Sequence, residues 1–139
     1  MIVSCLLDTN VLVYAAAGRG PEEWKRIRAF EIMEAADFGT SAQVLQEFYV
    51  TVTRRARTPL EPREAAEWIE RLALRPVAVI DDGLAKQAIN LSVRYQVSYW
   101  DAAVIAAALN LGAPVLYSED LNHGQSYGDV QVLNPFRPS

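Results

Sequence analysis

Ile2–Leu7 is a near-continuous apolar run, the pattern of a strand buried on both faces. Asp8-Thr9-Asn10 ends it, and Val11–Ala17 predicts a short helix closed by Gly18. Gly20-Pro21-Glu22-Glu23 reads as the start of a second helix, with proline and two acids in its first turn, running to about Ala36. Phe38–Thr40 predicts a second strand. Ser41 then caps a helix to about Arg55, with Val44, Leu45, Phe48 and Val52 on one face. The loop Thr58–Pro62 enters a helix ending near Leu72, and Pro76 precedes a third strand, Val77–Ile80. Asp81 or Asp82 caps a helix whose face is Leu84, Ala88, Leu91 and Tyr95; Ser98 caps the next, to Leu111, stopped by Gly112. Pro114–Tyr117 predicts a fourth strand, Ser118–Asp129 a polar loop and Val130–Leu133 a fifth strand. This alternation predicts a three-layer α/β fold over residues 1–139, one domain, with a central parallel sheet of about five strands and helices on both faces. Ligands of such sheets bind beyond the carboxyl ends of the strands, so the residues that follow each strand carry the chemistry.

Composition narrows the class. Hydrophobic residues make up 51% and charged residues 22%, which excludes a disordered chain. A single cysteine, Cys5, excludes an internal disulfide, and one cysteine with one histidine, His123, cannot build a structural zinc site. The longest strictly apolar run, Ala102–Leu109, is far short of the ~20 residues of a membrane span. We therefore expect a soluble, cytoplasmic protein with no membrane partner. The net charge of −4, from 17 acids and 13 bases, at first disfavours a nucleic-acid partner.

The placement of the acids changes that picture. Asp8 directly follows the first strand, where it is either a helix cap or a functional carboxylate. Asp101 fits a capping box with Ser98, yet it also heads a helix that is apolar all round from Ala102 to Leu109. A carboxylate at the mouth of a buried helix must be paired or hold a metal. Glu47 shares a stripe with Thr51 and Arg54, off the apolar face; alone it reads equally as a solvated glutamate. Asp120, or Glu119 in its place, follows the fourth strand; Asp81 and Asp82 read as caps. One sheet edge would gather Asp8, Glu47, Asp101 and Asp120. Two carboxylates ~4 Å apart repel by about 4 kcal/mol at an effective dielectric near 20, against a net domain stability of only ~5–15 kcal/mol. Such a set must partly protonate or hold a divalent cation, and oxygen-only donors select Mg2+ or Mn2+. Setting those four aside leaves 13 acids against 13 bases. Arg54, Arg55 and Arg57 then form a cluster that is either a solvated face or a phosphate contact, as do Lys25, Arg26 and Arg28.

The segments Leu7-Asp8-Thr9-Asn10-Val11-Leu12, Gln46-Glu47-Phe48, Ser98-Tyr99-Trp100-Asp101-Ala102 and Tyr117-Ser118-Glu119-Asp120-Leu121 together resemble a PIN domain. More narrowly, they resemble the VapC-type ribonuclease toxins of bacterial toxin–antitoxin pairs. The resemblance spans essentially the whole chain. It implies an acidic pocket that binds Mg2+ or Mn2+ and cuts RNA by metal-activated water, with Asp8, Glu47, Asp101 and Asp120 as catalytic metal ligands. Glu119 is the substitute for the fourth acid. Asn10 and Ser118 would orient the carboxylates by hydrogen bonds. The resemblance assigns no catalytic role to His123, and it implies a homodimer and a cognate antitoxin. Two other readings follow from the residues: a catalytically inactive PIN-like binding module, and another acidic-site phosphoryl-transfer domain. Against the latter, the chain has only Lys25 and Lys86, neither after the last strand, and position 10 is Asn10 rather than a second aspartate. Against a serine hydrolase, the one histidine, His123, sits in a loop beside Gly124.

Overall fold

The computed structural model describes residues 2–137. In chain order the elements are β1 (Cys5–Leu7), α1 (Thr9–Ala17), α2 (Glu23–Ala35), β2 (Phe38–Ser41), α3 (Ala42–Val50), α4 (Pro62–Leu72), β3 (Val77–Ala78), α5 (Asp82–Tyr95), α6 (Tyr99–Asn110), β4 (Val115–Tyr117), β5 (Ser126–Tyr127) and β6 (Val130–Leu133). The sheet order is β3-β2-β1-β4-β6-β5. All neighbours are parallel except β5 and β6. The chain builds outward from β1 through β2 to β3, then returns to the other side of β1 with β4. The β1–β4 junction is therefore the topological switch point, where open α/β sheets form their ligand crevice.

Register fixes what stands at that crevice. Leu7 lies opposite Tyr117, so the next residues, Asp8 and Ser118, leave the sheet side by side. The Asp8 amide donates to the Tyr117 carbonyl at 3.0 Å, extending the pairing by one bond. The core beneath is apolar: Leu6, Leu7, Val11, Leu12, Phe48, Ile105 and Leu116 are fully buried. Helix α6 is buried from Ala102 to Ala108, as its all-round apolar sequence requires. Its small residues let both α5 and the sheet approach closely. The helix stops where Gly112 takes φ +65°, a conformation that costs glycine little.

The sheet departs from expectation in three places. It has six strands rather than about five, because Ser126–Tyr127, placed in the polar loop by sequence, adds an antiparallel edge strand. A two-residue turn at Gly128-Asp129, with Gly128 at φ +62°, pairs Tyr127 with Val130, and the buried Tyr127 ring anchors the hairpin. The third strand shrinks to two residues, leaving Val79 and Ile80 exposed. Its partner β2 ends at Ser41, so the ladder stops once Ser41 has paired with Ala78. The first strand begins at Cys5 because the Val3 and Ser4 amides donate to the loop carbonyls of Leu111 and Asp37 instead. The helix expected to reach Arg55 ends as α3 at Val50 and continues as a π turn over Thr51–Arg55, with the Ala56 amide donating to Thr51.

Phe48 is fully buried and meets the Trp68 ring at 6.1 Å, joining α3 to α4. Phe48→Ala should lower the unfolding free energy by about 3–5 kcal/mol in a urea titration. A loss under about 1 kcal/mol would show that the helices can close the gap.

Candidate active site

Asp8 is the N-cap of α1, and its Oδ1 accepts the Thr9 amide at 2.8 Å. Its Oδ2 accepts the Ser118 hydroxyl, also at 2.8 Å. The cap and the functional reading of Asp8 are thus compatible. The side chain is buried, 8% exposed, and its pKa is pushed up to about 6. Burial is the largest cause; the two hydrogen bonds pull it back, and the charges of Asp120 and Glu47 raise it further.

The neighbouring groups form a network around it. The buried Ser118 Oγ also accepts the Asp120 amide, at 3.2 Å. Asn10 donates through Nδ2 to Asp120 Oδ2 at 3.2 Å and accepts the Glu119 amide on its Oδ1 at 3.1 Å. Glu47 Oε1 accepts the Thr9 hydroxyl at 3.1 Å and the Gln43 side-chain amide at 3.4 Å. Gln43 donates as well to the Trp100 carbonyl at 3.3 Å, tying α3 to the start of α6. Thr9 and Gln43 are the positioning groups that sequence reasoning missed. Gln43 was findable, since it lies one helical turn before Glu47 on the same stripe.

Asp101 differs from the other three. Ser98 Oγ caps its amide at 3.1 Å, but the reciprocal bond of a capping box is not made. The Asp101 carboxylate, half-buried at the start of α6, takes no hydrogen bond from the described residues. Asp81, by contrast, does cap α5 through the Leu84 amide at 2.8 Å.

Asp8, Glu47, Asp101 and Asp120 all line one cavity of about 770 Å³ at the switch point. Glu22, Arg55 and Arg57 stand on its wall too, and the π turn carries Arg55 there. Arg54 is exposed outside it. Glu119, offered as the alternative to Asp120, does not line the cavity: its carboxylate accepts the Tyr14 hydroxyl at 2.6 Å and pairs with Lys25. Among the described residues, no ammonium or guanidinium lies within ion-pair distance of the four cavity acids. Nor are any three acid, cysteine or histidine side chains there arranged to hold a metal as they stand.

A family model for the PIN domain matches residues 5–126. The chain belongs to the PIN domain family. Solved structures with the same fold include Mycobacterium tuberculosis VapC20, described as a sarcin-ricin loop cleaving toxin. It is 22% identical, with 84% of this chain and 90% of that one covered and a TM-score of 0.67. A toxin–antitoxin complex from Klebsiella pneumoniae is 19% identical over 97% of this chain and 100% of that chain, at a TM-score of 0.72. DNA-bound VapBC from Salmonella typhimurium is 17% identical, covering 95% and 97%, at a TM-score of 0.61. No curated protein sequence matches the chain. Among the described residues of this PIN domain, no helix is long and apolar enough to cross a membrane.

The raised pKa of Asp8 makes the stability of this PIN domain depend on pH. Its ordinary value is 3.8 and its folded value about 6, so the protonated carboxyl favours the folded state. That contribution is complete below about pH 4 and lost as pH rises through about 6, some 3 kcal/mol in all. Urea unfolding of chelator-treated protein should show this decline, and Asp8→Asn should lack it, so that the difference between the two curves falls as pH rises through about 6. Parallel curves for wild type and variant would mean that Asp8 titrates normally.

Proposed function

We propose that this PIN domain is a metal-dependent endoribonuclease, the toxin of a toxin–antitoxin pair. The observation that carries the reading is a set of four carboxylates lining one cavity at the sheet's switch point with no cationic partner. Structural cap roles account for Asp8 in part, and they leave the Asp101 carboxylate unused. The donors suit Mg2+ or Mn2+ in kind: all are oxygens, and the cavity has room. Asp8, Glu47, Asp101 and Asp120 would hold the ion. When bound, the cation activates water and offsets charge on the phosphoryl oxygens.

The chain's own residues do the rest. Ser118 and the Thr9 amide hold the Asp8 carboxylate in one orientation. Asn10 steadies both the Asp120 side chain and the Glu119 backbone. Arg55 and Arg57, on the cavity wall, can meet RNA phosphates on either side of the scissile bond. The inactive-module alternative predicts the same fold without cation binding. An antitoxin partner is supported by the toxin–antitoxin complexes among the similar structures. A homodimer is supported by Ile89 and Val93, one turn apart on α5 and both more than half exposed.

Added MnCl2 should raise the thermal midpoint of wild type but not of Asp8→Asn or Asp101→Asn. Equal gains in all three would remove the metal site. With Mn2+ present, Asp101→Asn should abolish cleavage of an RNA pool, while its metal-free stability stays level or rises. Marked destabilisation would instead assign Asp101 to helix capping. For the dimer, Val93→Glu should convert the particle to a monomer in sedimentation; an unchanged mass would place the interface elsewhere.

A further inference from the structure

A second cleft, of about 800 Å³, opens where β4 and β6 end. Trp24, Arg28 and Glu31 of α2 form one wall, and Tyr117, His123 and Arg137 stand around the rest. Between it and the acid cavity lies a row of edge-to-face rings: Tyr14, on the acid cavity's wall, meets Phe136 at 5.0 Å, and Phe136 meets Trp24 at 6.3 Å.

The two clefts differ in charge. The acid cavity gathers Asp8, Glu22, Glu47, Asp101 and Asp120 against Arg55 and Arg57. Among the described residues, the second cleft sets Arg28 and Arg137 against Glu31. It is therefore cationic in a chain whose net charge is −4. Its polar groups are mostly donors. Arg28 Nε donates to the Pro135 carbonyl at 3.2 Å, which lays the guanidinium along the wall, and its bridge to Glu31 is long, 3.7 Å, and exposed. His123 Nδ1 accepts the Asn134 amide at 2.9 Å, so the neutral ring keeps its proton on Nε2 as a donor. Trp24 is 53% exposed although its ring meets Phe136. An exposed aromatic plane beside guanidinium groups, one of them held along the wall, is the chemistry that holds an unpaired base and its phosphate.

The acid cavity also needs such help. Its formal charge opposes a polyanion, and a strand laid across it must gain its affinity from cationic and stacking contacts nearby. We propose that the second cleft holds one nucleotide of a single-stranded RNA whose scissile bond lies over the acids, its base on Trp24 and its phosphate between Arg28 and Arg137. The proposal rests on the ribonuclease reading for the identity of the strand, while the binding itself needs no cleavage.

That separation sets the experiment. Chelator-treated protein is titrated into a fluorescein-labelled oligouridylate and followed by anisotropy, under conditions where a metal-dependent cut cannot occur. Trp24→Ala should weaken binding roughly ten-fold, and Trp24→Phe, which keeps an aromatic plane, should restore most of it. Arg28→Gln and Arg137→Gln should each weaken binding and lower the salt slope by about 0.7. Arg137 is exposed, so its variant keeps the test decisive if Trp24→Ala fails to fold. Wild-type affinity in both Trp24→Ala and Arg137→Gln overturns the proposal, as does wild type that binds no RNA. Variants that keep RNA but lose an antitoxin peptide overturn it too, by making the cleft a protein dock. If wild type cleaves no RNA with Mn2+ yet these variants still lose binding, the cleft stands as an RNA site and only the nuclease reading falls.

Discussion

A buried aspartate with no cation beside it is the constraint around which the site is built. Removing a carboxylate from water costs several kcal/mol unless hydrogen bonds or a counter-charge restore what is lost. Asp8 has the first and lacks the second: one oxygen takes the Thr9 amide and the other the Ser118 hydroxyl. The Thr9 amide is a local cap, but the Ser118 hydroxyl is within reach only because β1 and β4 pair in one register, which sets Asp8 and Ser118 side by side. A slip of one residue would turn Ser118 to the other face of the sheet and leave the charge unsatisfied. The same hydroxyl then accepts the Asp120 amide, so the position of the fourth-strand loop follows from that of the first aspartate.

The cavity has a tied side and a looser one. Asp8, Asn10, Ser118 and Asp120 form a hydrogen-bonded set across the ends of β1 and β4. Asp101 sits at the head of a helix buried along its length, so its backbone is fixed while its carboxylate is not tied by hydrogen bonds. Glu47 is exposed, held only by Thr9 and Gln43. Carboxylates that repel one another rest apart until a counter-charge arrives. Among the described residues Asp8, Glu47, Asp101 and Asp120 line one cavity with no three of them closely grouped, the arrangement that mutual repulsion favours.

What sequence made visible was whatever local pattern determines. The apolar run of α6, the caps at Ser41, Asp81 and Ser98, and the stop at Gly112 depend on neighbours within one turn, and all are present. The convergence of the acids followed from one topological rule about strand ends. Features set by distant partners were not readable. Strand β3 stops where β2 runs out of pairing residues, and β5 exists because Tyr127 finds a buried place beside β6. The fate of Glu119 was hidden for the same reason: nothing in Ser118-Glu119-Asp120 shows that Lys25, 94 residues away, takes the middle acid.

That ion pair divides the molecule's charge. Lys25 lies against the Tyr14 ring at 4.6 Å from its centroid and pairs with Glu119, which also accepts the Tyr14 hydroxyl. Burial works against its charge, but the bonds to Glu119 and Tyr14 prevail and raise its pKa. Drawing Glu119 to Lys25 keeps one more negative charge out of a cavity already crowded with them. It also consumes an ammonium that would otherwise have neutralised the cavity acids. The pair thus leaves the four acids without a cationic partner among the described residues, and it braces Tyr14 and Phe136 as the partition from the second cleft. The partition therefore separates a cavity with an excess of acids from a cleft with an excess of guanidinium groups.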